Sequence, residues 1–191
     1  MPVFNRLALP DVIEVIPDRH GDERGFFSEV FKDTVWADGG VDVAFVQDNH
    51  SYSRDIGVLR GLHFQTPPFA QAKLVRVTRG VVFDVAVDIR HGSPSFGQWV
   101  GVELTAAKGN QLFVPAGFAH GFVTLTSDVE FLYKVSAPYS KANDRSIRFD
   151  DPQINIEWPL AHEMLTLSDK DKSAPFLADV ETGFIYEGSK L

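Results

Sequence analysis

Residues Gly57–Gln65 read Gly-Val-Leu-Arg-Gly-Leu-His-Phe-Gln. Apolar side chains alternate there with glycine and polar groups, which is the period of a half-buried strand rather than a helix. Gly57 and Gly61 remove side chains where a backbone or a ligand approaches closely. Among them sit one cation, Arg60, and one group able to take a proton near neutral pH, His63. Strict alternation places Leu59, Gly61, His63 and Gln65 on one face and Arg60, Leu62 and Phe64 on the other.

The same texture continues outward. Towards the N-terminus, Asp11–Pro17 reads as a strand ended by proline, and Gly21–Phe31 opens as turn residues and ends strand-like. Asp33–Gly40 fits a short helix stopped by Gly39 and Gly40, and Val43–Asn49 is strand-like again. Towards the C-terminus, Lys73–Thr78 and Val81–Ile89 predict a hairpin about Arg79-Gly80. Gln98–Leu104 and Gln111–Val114 flank the turn residues Lys108-Gly109-Asn110, and Gly117–Leu125 joins Val129–Val135 through Ser127-Asp128. Many short strands with almost no helical periodicity predict an all-β chain, an antiparallel sandwich or barrel. From Pro138 the pattern changes, and residues 138–191 are expected to form a C-terminal cover with short helices near Ser168–Ser173. Residues 1–191 then make a single domain.

Composition narrows the function. A chain of 191 residues buries a substantial core, and 16 phenylalanines make that core ring-rich. The absence of cysteine excludes disulfides, thiolate metal sites and cysteine nucleophiles, and agrees with a reducing compartment. A formal net charge of −8 argues against nonspecific binding to nucleic acid or an anionic membrane, yet a few convergent cations still hold a small anion. The start lacks the apolar run of a signal peptide and nothing later is long enough to span a bilayer, so a cytoplasmic protein is expected.

Metal ligation by a histidine-bearing barrel needs a second histidine near His63 and a carboxylate a few residues on. Gln65 stands in the first place, and Ala70–Lys73 fills the second, where a lysine repels a divalent cation. No metal and no cofactor is expected. No serine sits in a nucleophile elbow and no glycine-rich phosphate loop opens a helix. An acid–base set remains: His63, His120, Lys73 and Tyr133, with the carboxylates Asp84, Asp144 and Asp171. Alternation puts Tyr133 on the face of Phe131 and Val135, towards the interior.

Together these stretches resemble one family. The likeness runs through Gly21–Phe27, Phe45–Ser51, Val58–Gln65, Lys73–Arg76, Val82–Arg90, Phe96–Trp99, Pro115–Thr124, Glu130–Lys134, Ile156–Pro159 and Leu167–Asp171. In order and spacing it is the pattern of the dTDP-4-dehydrorhamnose 3,5-epimerases, and it spans nearly the whole chain. The resemblance implies a cupin-like jelly roll and a homodimer that exchanges N-terminal strands. It implies a cofactor-independent reaction that inverts C3 and C5 of a nucleotide-linked 4-keto-6-deoxyhexose (dTDP-4-keto-6-deoxyglucose). Both carbons flank the C4 ketone, so each deprotonation leaves an enolate that must be stabilised, between a base on one face and a proton donor on the other.

The resemblance makes His63 the base, with Asp171 orienting its ring, Tyr133 the opposing acid, and Lys73 the group at the enolate oxygen. Arg24, Arg60, His120 and Lys170 would hold the diphosphate and sugar as cations and donors. Glu29, Gln47, Asn49 and Asp144 match ligand contacts, Tyr139 matches the ring that stacks on thymine, and Phe27 with Phe26 would line that site from a partner subunit. Arg60 and His63 fall on opposite faces by simple alternation, so a bulge at Gly61 is expected to bring them together. Pro138, Asp144 and Ser146 depart from the family pattern, and Asp144, one methylene shorter than glutamate, is expected to reach its partner through water. The competing readings are a mono-epimerase of a related ketosugar, a non-catalytic sugar-nucleotide-binding cupin and a metal-dependent cupin.

Overall fold

The computed structural model describes residues 1–188. Thirteen strands are assigned: β1 (Val3–Arg6), β2 (Ile13–Ile16), β3 (His20–Asp22), β4 (Gly25–Phe27), β5 (Gln47–Ser53), β6 (Leu59–Gln65), β7 (Lys73–Arg79), β8 (Val81–Asp88), β9 (Trp99–Thr105), β10 (Gln111–Val114), β11 (Phe118–Thr124), β12 (Val129–Val135) and β13 (Asp144–Ser146). Two short α-helices accompany them, α1 (Asp33–Asp38) and α2 (Asp169–Lys172). One sheet has the order β1-β2-β10-β7-β12-β5 and the other β13-β6-β11-β8-β9, all antiparallel. The two pack face to face, with Val75, Val77, Leu112 and Phe131 of the first sheet meeting Val82, Ala86, Leu104 and Phe122 of the second. The all-β expectation holds.

The hairpin expected about Arg79-Gly80 does not. β7 lies in one sheet and β8 in the other, and the same is true of β9 with β10 and of β11 with β12. Period-two alternation sees a strand and a turn but cannot see which sheet the next strand joins. At Gly80 the chain crosses with φ +83°, and a Cβ there would stand 2.6 Å from Thr126 Oγ1. Glycine is the residue that turns so tightly against a neighbouring loop. These crossings make the architecture a jelly roll.

Further boundaries move. The strand expected at Val43–Asn49 runs instead over Gln47–Ser53, while Val43 and Phe45 pack with Phe31 and Trp36 around α1. The first part of the expected cover is a strand, since β13 pairs with β6. The remainder does cover the second sheet: Ile154, Ile156 and Leu177 bury Leu62, Phe64, Val85 and Val87 on its outer face. Of the cover expected over 138–191, residues 189–191 lie outside the described residues. The helix expected near Ser168–Ser173 is present as α2, whose first turn is capped by Ser168 Oγ accepting from Asp171 N.

Candidate active site

β6 places the first side chains. Opposite β11, His63 pairs with His120 and Arg60 with Phe122, so two residues of β6, Gly61 and Leu62, oppose Gly121 alone. This is a β-bulge. Gly61 has φ +134°, and a Cβ on it would lie 2.5 Å from Gly121 Cα. A side chain is excluded at that strand crossing. The bulge resets alternation: Leu62 and Phe64 face the C-terminal cover and Leu59 packs with Phe149 and Leu165, while Arg60 and His63 both turn to the sandwich interior. Leu59 therefore leaves the face that strict alternation gave it, and Arg60 joins His63.

Inside lies a cavity of about 530 Å³, lined by Arg60, His63, Lys73, His120, Tyr133 and Asp171 among others. A second cavity of about 470 Å³ shares His63, Lys73 and Tyr133 with it and is lined by Gln47, Asn49, Tyr139, Asp144 and Lys170. The two are compartments of one cleft meeting at those three side chains. Arg24, Phe27 and Glu29 line neither compartment. They sit on or beside the β3–β4 hairpin, which pairs only with itself in the sheet order, and Arg24 is 85% exposed with its guanidinium on Asp22.

His63 Nε2 lies 2.5 Å from Asp171 Oδ1. Burial pushes Asp171 up, but the His63 hydrogen bond and charge, with the Ser168 hydroxyl at 2.8 Å, outweigh it and hold the carboxyl below its ordinary range. An ionised carboxylate only accepts, so His63 Nε2 carries the hydrogen and Nδ1 is left as the basic atom. Ser168 was absent from the residues singled out in the sequence, although Ser168-Asp169-Lys170-Asp171 is a capping pattern that could have found it. Nothing in sequence spacing marked Ser51 or Thr166, which also line the first compartment.

Tyr133 and Lys73 come from the opposite sheet, on β12 and β7. Burial raises the Tyr133 phenol, opposed by the Arg60 charge, so it stays protonated as a donor. Lys73 is 9% exposed, and its Nζ reaches across the interior to within 3.4 Å of the His63 carbonyl. Burial lowers its ammonium to about 8, partly offset by the charges of Asp84 and Asp144. Tyr139 Oη lies 3.3 Å from Asp144 Oδ2, and Lys170 Nζ lies 2.5 Å from that same oxygen. Asp144 thus contacts Lys170 and Tyr139 directly.

His120 is buried beside Asp84, with Nε2 at 2.9 and 3.1 Å from its two carboxylate oxygens. Burial lowers the His120 ring, and the charges of Lys73 and His63 lower it further against the opposing pull of Asp84. The ring therefore favours its neutral form at pH 7.

Residues 6–179 match the family model described as dTDP-4-dehydrorhamnose 3,5-epimerase. The chain is 52% identical over 185 residues to the dTDP-4-dehydrorhamnose 3,5-epimerase of Sinorhizobium fredii, covering 96% of this chain and 93% of that one. Its fold matches that of the dTDP-6-deoxy-D-glucose-3,5-epimerase of Legionella pneumophila, solved in complex with dTDP-4-keto-L-rhamnose. The TM-score is 0.93 at 42% identity, over 98% of this chain and 100% of that one. It also matches a 3'-monoepimerase of Streptomyces bikiniensis in complex with dTDP-quinovose, with a TM-score of 0.84 at 35% identity over 91% and 87% of the two chains. A second structure of that monoepimerase carries a double substitution of one histidine and one tyrosine.

Proposed function

The chain belongs to the dTDP-4-dehydrorhamnose 3,5-epimerase family, and from that membership we propose that its cleft inverts C3 and C5 of dTDP-4-keto-6-deoxyglucose to give dTDP-4-keto-L-rhamnose. One observation carries the reading. His63 and Tyr133 enter a single cavity from opposite sheets, and Lys73 lines the same cavity with its Nζ 3.4 Å from the His63 carbonyl. A ketosugar held there meets a base on one face and a proton donor on the other. His63 Nδ1 removes the proton next to the ketone, and the imidazolium so formed faces the Asp171 carboxylate. The Lys73 ammonium stabilises the charge that develops on the ketone oxygen. Tyr133 returns a proton from the other side, which inverts the carbon. Solvent then takes the proton from His63 and returns one to Tyr133, and repetition at the second carbon completes the reaction, so that each carbon and each of the two side chains ends with the protons it began with.

The double substitution in the monoepimerase supports these roles, since its histidine and tyrosine have the same sequence separation as His63 and Tyr133. The second compartment suits the nucleotide: Tyr139 offers a ring for the base, Gln47 and Asn49 offer amides, and Lys170 with Arg60 offers charge to the diphosphate. A nucleotide-sugar substrate of this kind fits a cytoplasmic protein.

We also propose a homodimer. β1 pairs with β2, and β2 with this chain's own β10, so the element offered to a second copy is the β3–β4 hairpin, with Phe26 at 62% and Phe27 at 70% exposure. On a partner it would bring Arg24, Phe27 and Glu29 to a nucleotide that they do not approach within one chain. Alanine at both Arg24 and Phe27 should weaken dTDP binding about tenfold or more while the fold is unchanged.

The deciding experiment is proton NMR of dTDP-4-keto-6-deoxyglucose with the protein in D2O. Deuterium entering at both C3 and C5 supports the double epimerase. Deuterium at one carbon would reassign the chain to mono-epimerisation, the activity named for the Streptomyces bikiniensis relative. No exchange at either would overturn the reading.

A further inference from the structure

Two histidines of one sheet line the cavity, each paired with an aspartate, and the two pairs are built differently. His63 is 31% exposed at its side chain and pairs with Asp171, brought in by α2 from the C-terminal cover. His120 is 7% exposed and pairs with Asp84, a carboxylate fully buried on the adjacent strand β8. In register His120 faces Ala86, so Asp84 is its diagonal neighbour on the same inward face. Both Asp84 oxygens lie within hydrogen-bonding distance of Nε2, the geometry of a carboxylate accepting one N–H through two oxygens. The Lys73 charge acts on Asp84 and favours its ionised form, although burial raises its pKa.

We propose that Asp84 is a positioning residue that fixes His120 as the neutral Nε2–H tautomer, so that His120 Nδ1 accepts a hydrogen bond from a hydroxyl of the bound ketosugar. The inference rests on the sugar reading given above and adds to it the chemistry by which one wall of the pocket reads the sugar. Every charged or titratable group facing His120 is consistent with it. Asp84 takes the Nε2 hydrogen, while Lys73 and His63 oppose a charge on the ring. A second imidazolium is disfavoured there, which leaves His63 as the base. Arg60 and Lys170, elsewhere in the cleft, are the cations that the sugar reading assigns to the diphosphate. A neutral ring with a lone pair is what a sugar hydroxyl needs.

The test begins with the unaltered protein. Long-range proton–nitrogen correlation spectra of histidine-labelled protein at pH 7 should show His120 with hydrogen on Nε2 and none on Nδ1. Asp84→Asn, which offers an amide in place of the carboxylate, should shift the ring towards the other tautomer and lower kcat/KM roughly 10- to 100-fold. His120→Gln keeps an amide donor for Asp84 but removes the Nδ1 acceptor. Calorimetry on that variant should leave the Kd for dTDP within about twofold and weaken dTDP-quinovose, which carries sugar hydroxyls but no ketone, about tenfold. An Nδ1–H tautomer in the unaltered protein would overturn the proposal, and so would equal losses for dTDP and dTDP-quinovose. The readouts separate the two inferences: failure of the unaltered protein to bind dTDP would sink the nucleotide-sugar reading, while the tautomer is read without any ligand.

Discussion

His63 Nε2 and Asp171 Oδ1 stand 2.5 Å apart although 108 residues separate them in the chain. The first belongs to a strand of the second sheet, and the second to a helix of fewer than two turns in the C-terminal segment. The cover over the sheet thus supplies one half of this contact. It seals the outer face with Ile154, Ile156 and Leu177 and delivers the carboxylate that holds the His63 ring.

Asp171→Asn tests that delivery. The amide keeps the size of the side chain but supplies no charge to the imidazolium, so kcat should fall about 10²- to 10⁴-fold with little change in dTDP affinity, read by steady-state kinetics and calorimetry. Asp171 is held below its ordinary value of 3.8, so its contribution to stability is present above that pH. It is lost as pH falls through the lower folded value, and an acid-unfolding midpoint that moves towards neutrality in the variant would show it.

Lys73 sets a limit at the alkaline end. Its ammonium has a pKa near 8, so the charge opposite the developing enolate is lost as pH rises through that value, and kcat should fall there. The stability sign is opposite. Between about 8 and 10.5 the unfolded chain binds the proton and the folded chain does not, so this group makes folding more favourable as pH rises. Lys73→Met should abolish turnover and yet stabilise the protein at pH 7 by up to about 3 kcal/mol, seen as a higher Tm.

Tyr133→Phe removes the donor but keeps the ring against Phe131, whose centroid is 6.0 Å away. Solvent exchange into the substrate should persist in part, because His63 still removes protons. Inverted product should fall about 10²- to 10⁴-fold. The fold should lose no more than about 1 kcal/mol. Full retention of product in a D2O time course would dismiss Tyr133 as the acid.

Gly61→Ala probes the bulge. A methyl group would meet Gly121 Cα at 2.5 Å and His120 O at 2.9 Å, on a backbone with φ +134°. The variant should be destabilised by about 1–3 kcal/mol in urea unfolding, and its kcat should fall because His63 moves with the strand.

The sequence by itself determined the strand content, because side chains in a half-buried sheet must alternate and these do. It also carried the residues of the cleft, with Tyr133 on the face of Phe131, and the position of α2, where a serine caps the helix that bears Asp171. It even held the sign of the bulge, since Arg60 and His63 could share a face only if Gly61 broke the alternation. Tertiary structure alone decided the rest. Alternation is a local period and carries no label for the sheet that a strand will join, so the crossings at Gly80, between β9 and β10 and between β11 and β12 were hidden in it. For the same reason nothing local announced that Lys73 would end beneath His63, or that Asp84 would be sealed against His120. Those pairings come from two sheets closing on each other, and the low polarity of the space between them sets the charge each group carries.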